Sequence, residues 1–374
     1  MRVLLVTWNA TAHLPALVPL ALALRAAGHE VVAAAPPEAA AGAVRRSLAA
    51  VAVGPDLAAP PARGATFRRW PDGWPSDPSV LDEGERQFLH MLAGKQVAAA
   101  AAMLPDLVEF GERWRPHLVL HDASSLAGPV LAARLGLPAV GHSWGRVLPV
   151  RMDVDRSTGQ QLPSVAALFE RFAAGRAAVP GIELEPCPPA LRLRQKGGQR
   201  DIRPVPVASG LLPPAALRAG TRPRVLLVPE GRHPGAGTLR ELAGALTTEG
   251  FEVTSAEPGT AIAPATRRAV VVHPGSAAPL LEAAATGTPQ LVLSTRPEQQ
   301  LVGAAVADTG CGLHHVRSEL GPGPAALAVL CAAVRELADE PRFREAAGRV
   351  AASAAATPSP ADVARTLPDL LPGA

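Results

Sequence analysis

Tyrosine is absent from this 374-residue sequence, and lysine occurs only as Lys95 and Lys196. Together with heavy use of Ala, Arg, Pro and Gly, this fits codon bias in a GC-rich genome and carries no chemical message. The three cysteines, Cys187, Cys311 and Cys331, are odd in number and lack Cys-x-x-Cys spacing. That argues against a disulfide framework or a zinc site and fits a reducing compartment. No apolar run approaches the roughly 20 residues of a membrane span. The apolar stretch after Arg2 gives way to polar Asn9 and Thr11, too soon for a secretory signal. A cytoplasmic protein is expected, without membrane partners. Basic residues (36) barely exceed acidic ones (33), an excess of +3 that is far from the clustered basic surface expected of a nucleic-acid binder. Also missing are a Walker lysine motif, a Gly-x-Gly-x-x-Gly after the first strand, and His-Glu-x-x-His spacing. His29, His90, His117, His121, His142, His233, His314 and His315 show no metal-ligand pattern, and His314-His315 reads as surface.

What is present is apolar substance, 48% of the chain, enough for a core in each of two domains. Arg2 to Trp8 reads as a central parallel strand, Leu14 to Ala27 as a helix stopped by Gly28, and Glu30 to Ala35 as a second strand. This βαβ unit has a right-handed crossover. Gly54 to Pro78 is an aperiodic loop, long enough to suggest function. Leu81 to Arg113 follows as helix with a break at Pro105, then His117–Asp122, Leu126–Leu135 and Ala139–Ser143 as strand, helix and strand. After a proline-punctuated stretch the alternation restarts. Strands are expected at Arg224–Val228, Phe251–Ser255, Ala269–His273 and Gln290–Leu293. Helices are expected at Leu239–Glu249 and Pro279–Thr286, and from Glu298, Ala325 and Arg342. The expected fold is α/β, with two Rossmann-like doubly wound parallel-sheet domains. Their bounds are 1–205 and 223–358, joined by a linker at 206–222, with 359–374 packing back toward the first domain.

Four positions carry possible chemistry. His13 lies in the first βα loop, at the carboxyl edge where open parallel sheets bind ligands, and suits a general base; a loop histidine making a local hydrogen bond is equally consistent. Asp122 ends a neighbouring strand and either caps the helix after Ser124-Ser125 or orients His13 and stabilises its imidazolium. His273-Pro274-Gly275-Ser276 joins a strand to a helix, so Gly275 and Ser276 offer backbone N–H groups to an anion or simply form a turn. Glu298-Gln299 can accept from and donate to vicinal sugar hydroxyls, or merely open an exposed helix.

In order and spacing, these positions resemble the bacterial natural-product glycosyltransferases of the GT-B fold, which decorate macrolides, anthracyclines and enediynes. The resemblance spans nearly the whole chain. It is carried by Met1 to Trp8 with His13, Pro19-Leu20-Ala21, Ala26 to Val31, Pro116 to Asp122, Leu135 to Pro138, Trp144-Gly145, Pro186 to Arg192, Arg203 to Pro206, and Gly287 to Gln299. It implies an inverting transfer from a TDP- or UDP-sugar to a polyketide-like acceptor, with His13 as base and Asp122 behind it. His273, Gly275, Ser276, Glu298 and Gln299 would bind the donor. Trp8, Trp70 and Trp144 would face a flat, hydrophobic acceptor, with Trp74 beside Trp70. No cofactor or metal is implied; a homodimer or a pathway partner protein is compatible. The phosphate turn departs from the family pattern, roughly His-His-Gly-Gly-x-Gly-Thr-Thr, because Pro274 replaces its second histidine and the Thr pair is gone. Glu230 also stands where a diphosphate would be unwelcoming to it, unless Arg232 or His233 offsets its charge. These departures leave open a catalytically silent auxiliary or binding protein, and more remotely a nucleotide-sugar epimerase.

Overall fold

The structure, a computed structural model, describes residues 1–8, 13–57, 67–145, 162–176, 181–192, 199–207, 222–229, 236–256 and 269–370. Most of the expected linker, together with Glu230, Arg232 and His233, lies outside them.

The first half runs β1 (Arg2–Val6), α1 (Leu14–Ala26), β2 (Glu30–Ala35), α2 (Pro37–Val44), β3 (Ala49–Ala52), α3 (Glu83–Trp114), β4 (Leu118–Asp122), α4 (Ala127–Leu135), β5 (Ala139–His142), α5 (Pro163–Ala173), β6 (Ile182–Glu185) and β7 (Gln199–Asp201). Its seven strands are all parallel, in the order β3-β2-β1-β4-β5-β6-β7. The second half comprises β8 (Arg224–Leu227), α6 (Ala236–Thr248), β9 (Glu252–Ser255), β10 (Ala269–His273), α7 (Ala277–Thr286), β11 (Gln290–Ser294), α8 (Pro297–Asp308), β12 (Gly312–Val316), α9 (Pro324–Asp339) and α10 (Pro341–Ala355), followed by α11 (Pro360–Thr366). Its five strands are parallel, ordered β12-β11-β10-β8-β9.

The continuous Val/Leu run of β1 is explained by burial on both faces. Val3 and Leu5 enter a core with α1, while Leu4 and Val6 enter another with α3 and α4. Strand order reverses between β1 and β4 in the first sheet and between β8 and β10 in the second, and such switch points open the ligand crevice. His13 follows β1, Asp122 ends β4, and His273 ends β10, so topology alone brings the candidate residues to the two crevices.

Pro105 does not break its helix: α3 is continuous from Glu83 to Trp114, opened by a capping box between Asp82 and Glu85. One missing N–H costs a single ladder bond, which packing of α3 on α4 and α5 outweighs. His314 and His315 are likewise not simply surface residues. They lie on β12 with both side chains partly buried, and His314 Nε2 meets Ser294 Oγ at 2.8 Å.

The halves interpenetrate. Cys187 and Leu191, just after β6, lie in the core formed by Leu280, Val292, Val302 and Val350 of the second half. Conversely Val363, Ala364 and Leu367, at the end of the chain, complete the α1 face of the first sheet.

Candidate active site

β1 and β4 are hydrogen-bonded neighbours, so their carboxyl ends lie side by side. His13 is the N-cap of α1 and its side chain is only 13% exposed, while Asp122 is fully buried. His13 Nδ1 and Asp122 Oδ2 are 2.8 Å apart. The other carboxylate oxygen accepts the Ser124 N–H at 2.8 Å and the Ser124 hydroxyl at 2.7 Å. Asp122 therefore shapes the turn before α4 without capping the helix itself, whose N-cap is Leu126. Burial, the largest influence on Asp122, pushes its carboxyl up. The attraction of His13 and the hydrogen bonds from His13 and Ser124 outweigh it and hold the carboxyl below the ordinary value. Because an ionised carboxylate only accepts, the ring proton of a neutral His13 sits on Nδ1, and Nε2 is the nitrogen turned away from Asp122.

Two indoles fix the ring. Trp144 stacks face to face on His13, with centroids 3.9 Å apart and planes at 5°. Trp8 stands edge-on at 6.1 Å and donates its Nε1–H to Ser124 Oγ at 2.8 Å. Lys95 Nζ lies 5.7 Å from the Trp8 ring centroid. Trp8 and Trp144 are thus tied to the dyad itself. Trp70 is not: it is 3% exposed, its ring packed against Trp74 and Phe88 in a cluster with Leu81 and Leu301. Its expected role as an acceptor-facing surface gives way to a contact between the halves, because that cluster takes up the ring faces.

Behind Trp144 lies a second buried network. Ser143 Oγ donates to Glu185 Oε1 at 2.8 Å, the Cys187 N–H donates to the same oxygen at 2.8 Å, and the Gly145 N–H donates to Ser143 Oγ at 3.2 Å. Burial pushes the Glu185 carboxyl up to about 7, against the opposing bonds from Cys187 and Ser143. Gly145 adopts φ +84° and touches Leu281 of α7 so closely that a Cβ would lie 2.3 Å from its Cδ1. This wall of the His13 pocket is therefore also an interdomain contact.

The donor-side residues are placed differently from expectation. His273 is 1% exposed; its Nδ1 accepts the Gly275 N–H at 3.1 Å, which leaves Nε2 to donate to Gln290 Oε1 at 2.9 Å. Burial drives this imidazole down to about 4, so it is neutral and structural and offers a donor no charge. The Gly275 N–H is occupied by that ring and is not available to phosphate. Glycine is needed there because φ is +95° and Gln299 approaches to 3.0 Å from where a Cβ would sit. Ser276, half-buried, is the N-cap of α7 with no side-chain cap bond. Gln299 is fully buried, and its Oε1 accepts from Thr295 N, Thr295 Oγ1 and Arg296 N at 2.9 to 3.1 Å, closing the α8 N-terminus. Glu298 lies 3.1 Å from Arg296 Nε.

Residues that sequence reasoning missed are Thr7, 3.4 Å from Asp122 Oδ2, Glu185, and Gln300, considered below. The Asp-x-Ser pattern at 122–124 is the one local signal that points to the dyad's support. Among the described residues no group of three or more His, Cys, Asp or Glu side chains could hold a metal ion. No helix among them is long and apolar enough to cross a membrane.

Two parallel α/β halves, with a His–Asp pair at one switch point and a strand-to-helix turn at the other, have the architecture of the GT-B fold. The comparison with solved structures bears this out. Spinosyn rhamnosyltransferase SpnG superposes with a TM-score of 0.80 at 26% identity, over 99% of this chain and 100% of that one. Its complex with thymidine diphosphate gives 0.77 at 26% identity, over 98% and 100%. Residues 22–231 match the N-terminal domain of the erythromycin biosynthesis protein CIII-like family, and residues 262–370 match its C-terminal domain. The chain belongs to that family of antibiotic-biosynthesis glycosyltransferases. Among its relatives are the elloramycin glycosyltransferase ElmGT of Streptomyces olivaceus, 30% identical over 98% of this chain and 97% of that protein, and the TDP-daunosamine transferase DnrS of Streptomyces peucetius, 29% identical over 99% and 97%.

Proposed function

We propose that this glycosyltransferase moves a sugar, with inversion, from a thymidine- or uridine-diphosphate donor to a hydroxyl of a polyketide-like acceptor, with His13 as the general base. The observation that carries the reading is the 2.8 Å His13–Asp122 pair, buried at the first switch point and aligned by Trp144. Nε2 takes the acceptor hydroxyl proton as the oxygen attacks the anomeric carbon from the face opposite the diphosphate. The carbon–oxygen bond to the diphosphate breaks, the nucleoside diphosphate leaves, and Asp122 stabilises the imidazolium. The N-terminus of α7, from Ser276 onward, supports the leaving charge through backbone N–H groups and the helix dipole, so the reaction needs no resident metal. Glu298 reaches the sugar hydroxyls, while Gln299 shapes the turn beneath them. The TDP complex of a relative with the same fold supports the donor class, and the relatives named for antibiotic glycosylation support the acceptor class.

His13→Ala is expected to abolish transfer while leaving the thermal melt within a few degrees of wild type. Full activity in that variant refutes the mechanism. Calorimetric titration with thymidine and uridine diphosphates selects the donor series; absence of binding to either, from a cooperatively melting protein, refutes the donor assignment.

A further inference from the structure

Three consecutive residues in the first turn of α8 do three different things. Glu298 meets Arg296, Gln299 closes its own turn, and Gln300 faces the other half of the molecule. The Gln300 side chain is buried, and both ends of its carboxamide are used. Oε1 accepts the Trp70 N–H at 2.9 Å and Nε2 donates to the Arg68 carbonyl at 2.8 Å. A single side chain thus pairs with a segment of the first half as a neighbouring strand would. Around it, Phe67 N–H donates to the Thr295 carbonyl at 3.0 Å, and Ser318 Oγ donates to the Phe67 carbonyl at 3.0 Å. Arg69 forks onto both oxygens of Glu319 at 2.8 and 2.9 Å. Trp70 and Trp74 cover Leu301 of α8.

These contacts differ in weight. Arg69 and Glu319 are each 47% exposed, so their ion pair is screened and contributes little. The bond from the Trp70 N–H to Gln300 is buried and the one to the Arg68 carbonyl is partly so, and losing Gln300 strands the Trp70 N–H away from water, the more consequential defect. We propose that Gln300 is a positioning residue for the transfer reaction, holding the 67–70 strap of the first half across the first turn of α8 so that the acceptor hydroxyl, and not water, reaches the anomeric carbon. The inference rests on the function proposed above. Closing a site against water is what separates transfer from hydrolysis. In the competing reaction a water oxygen bonds to the anomeric carbon, its proton passes to His13 Nε2, and the nucleoside diphosphate leaves as before.

Two measurements on Gln300→Ala decide the matter. Hydrogen exchange at the Phe67 and Trp70 amides is expected to quicken at least tenfold, and donor hydrolysed per acceptor glycosylated to rise at least tenfold. Glu319→Gln, which removes only the exposed ion pair, is expected to stay within twofold of wild type on both. Unchanged exchange or unchanged partition in Gln300→Ala overturns the inference, as does an equal effect of Glu319→Gln. A wild-type protein that turns over no donor refutes the functional reading, and the strap is then judged by exchange alone. Should Gln300→Ala not fold, Gln300→Glu keeps the volume and the acceptor for Trp70 but sets an oxygen against the Arg68 carbonyl, and the same outcomes apply.

Discussion

Glu185 makes folding stability depend on pH in a direction opposite to that of most carboxylates. Its carboxyl is held at about 7 in the folded protein, against an ordinary value of 4.5. Between those two values the unfolded chain has lost a proton that the folded chain keeps. The unfolded state therefore binds fewer protons, and stability falls as pH rises through the window. At about 1.4 kcal/mol per pH unit, the wild type loses about 2 kcal/mol from this group between pH 5.5 and pH 8.5, most of it below pH 7. Glu185→Gln removes the titration while resembling the protonated acid: its carbonyl oxygen still accepts from Ser143 and Cys187. Urea unfolding of both proteins across this range isolates the effect, since every other titrating group is shared and cancels in the difference. The variant is expected to gain on the wild type by about 2 kcal/mol from pH 5.5 to 8.5. Stability curves that run parallel in pH refute the reasoning and show Glu185 to be ionised in the folded state. Because Ser143 bridges Glu185 to Gly145, the same titration bears on the Trp144 wall of the His13 pocket.

Asp122→Asn keeps an oxygen for Ser124 but loses the charge facing His13; steady-state kinetics should show kcat lower by about 10³–10⁴, as for the orienting carboxylate of a catalytic triad, and a change under tenfold refutes the role. His273→Ala leaves the Gly275 N–H and the Gln290 carbonyl buried without their partner, at a cost of about 2–4 kcal/mol in urea unfolding. Its affinity for thymidine diphosphate, measured by calorimetry on folded protein, should stay within twofold; a large loss would return His273 to the donor site. Gly145→Ala meets both a positive φ and Leu281, and differential scanning calorimetry should show a loss of about 1–3 kcal/mol.

The parallel sheets and their switch points were legible because buried central strands read as unbroken Val/Leu runs and because each is followed by a helical period. His13 and Asp122 could be paired from topology alone: strands that neighbour one another deliver their carboxyl ends to the same place. The edge elements were not legible. Pro37–Val44 and Ala49–Ala52 are alanine-rich, and alanine carries no periodic contrast. Pro105 misled because a propensity argument sees the lost hydrogen bond but not the helices packed along α3. His273 was misplaced by one step of reasoning. It does end a strand at the crevice, yet its ring turns inward to bond Gly275 and Gln290, and nothing in the sequence between residues 273 and 290 announces that long-range partner. Trp70 failed similarly, since a tryptophan in a long loop looks the same whether it awaits a ligand or plugs a domain contact.

The return of Val363, Ala364 and Leu367 to the first sheet has a consequence for how the protein is made. The ribosome releases α1 and its sheet early, but the residues that cover that face follow the whole second half. With the whole second half still to be synthesised at the usual pace, the face stands open for roughly 10 to 30 s. During that interval the side of α1 on which α11 packs is open to the crowded cell. Loss of Val363, Ala364 and Leu367 would leave that face uncovered for good. The yield of folded enzyme is then governed by what shelters this surface during translation, and a change to α11 is a change to the first domain.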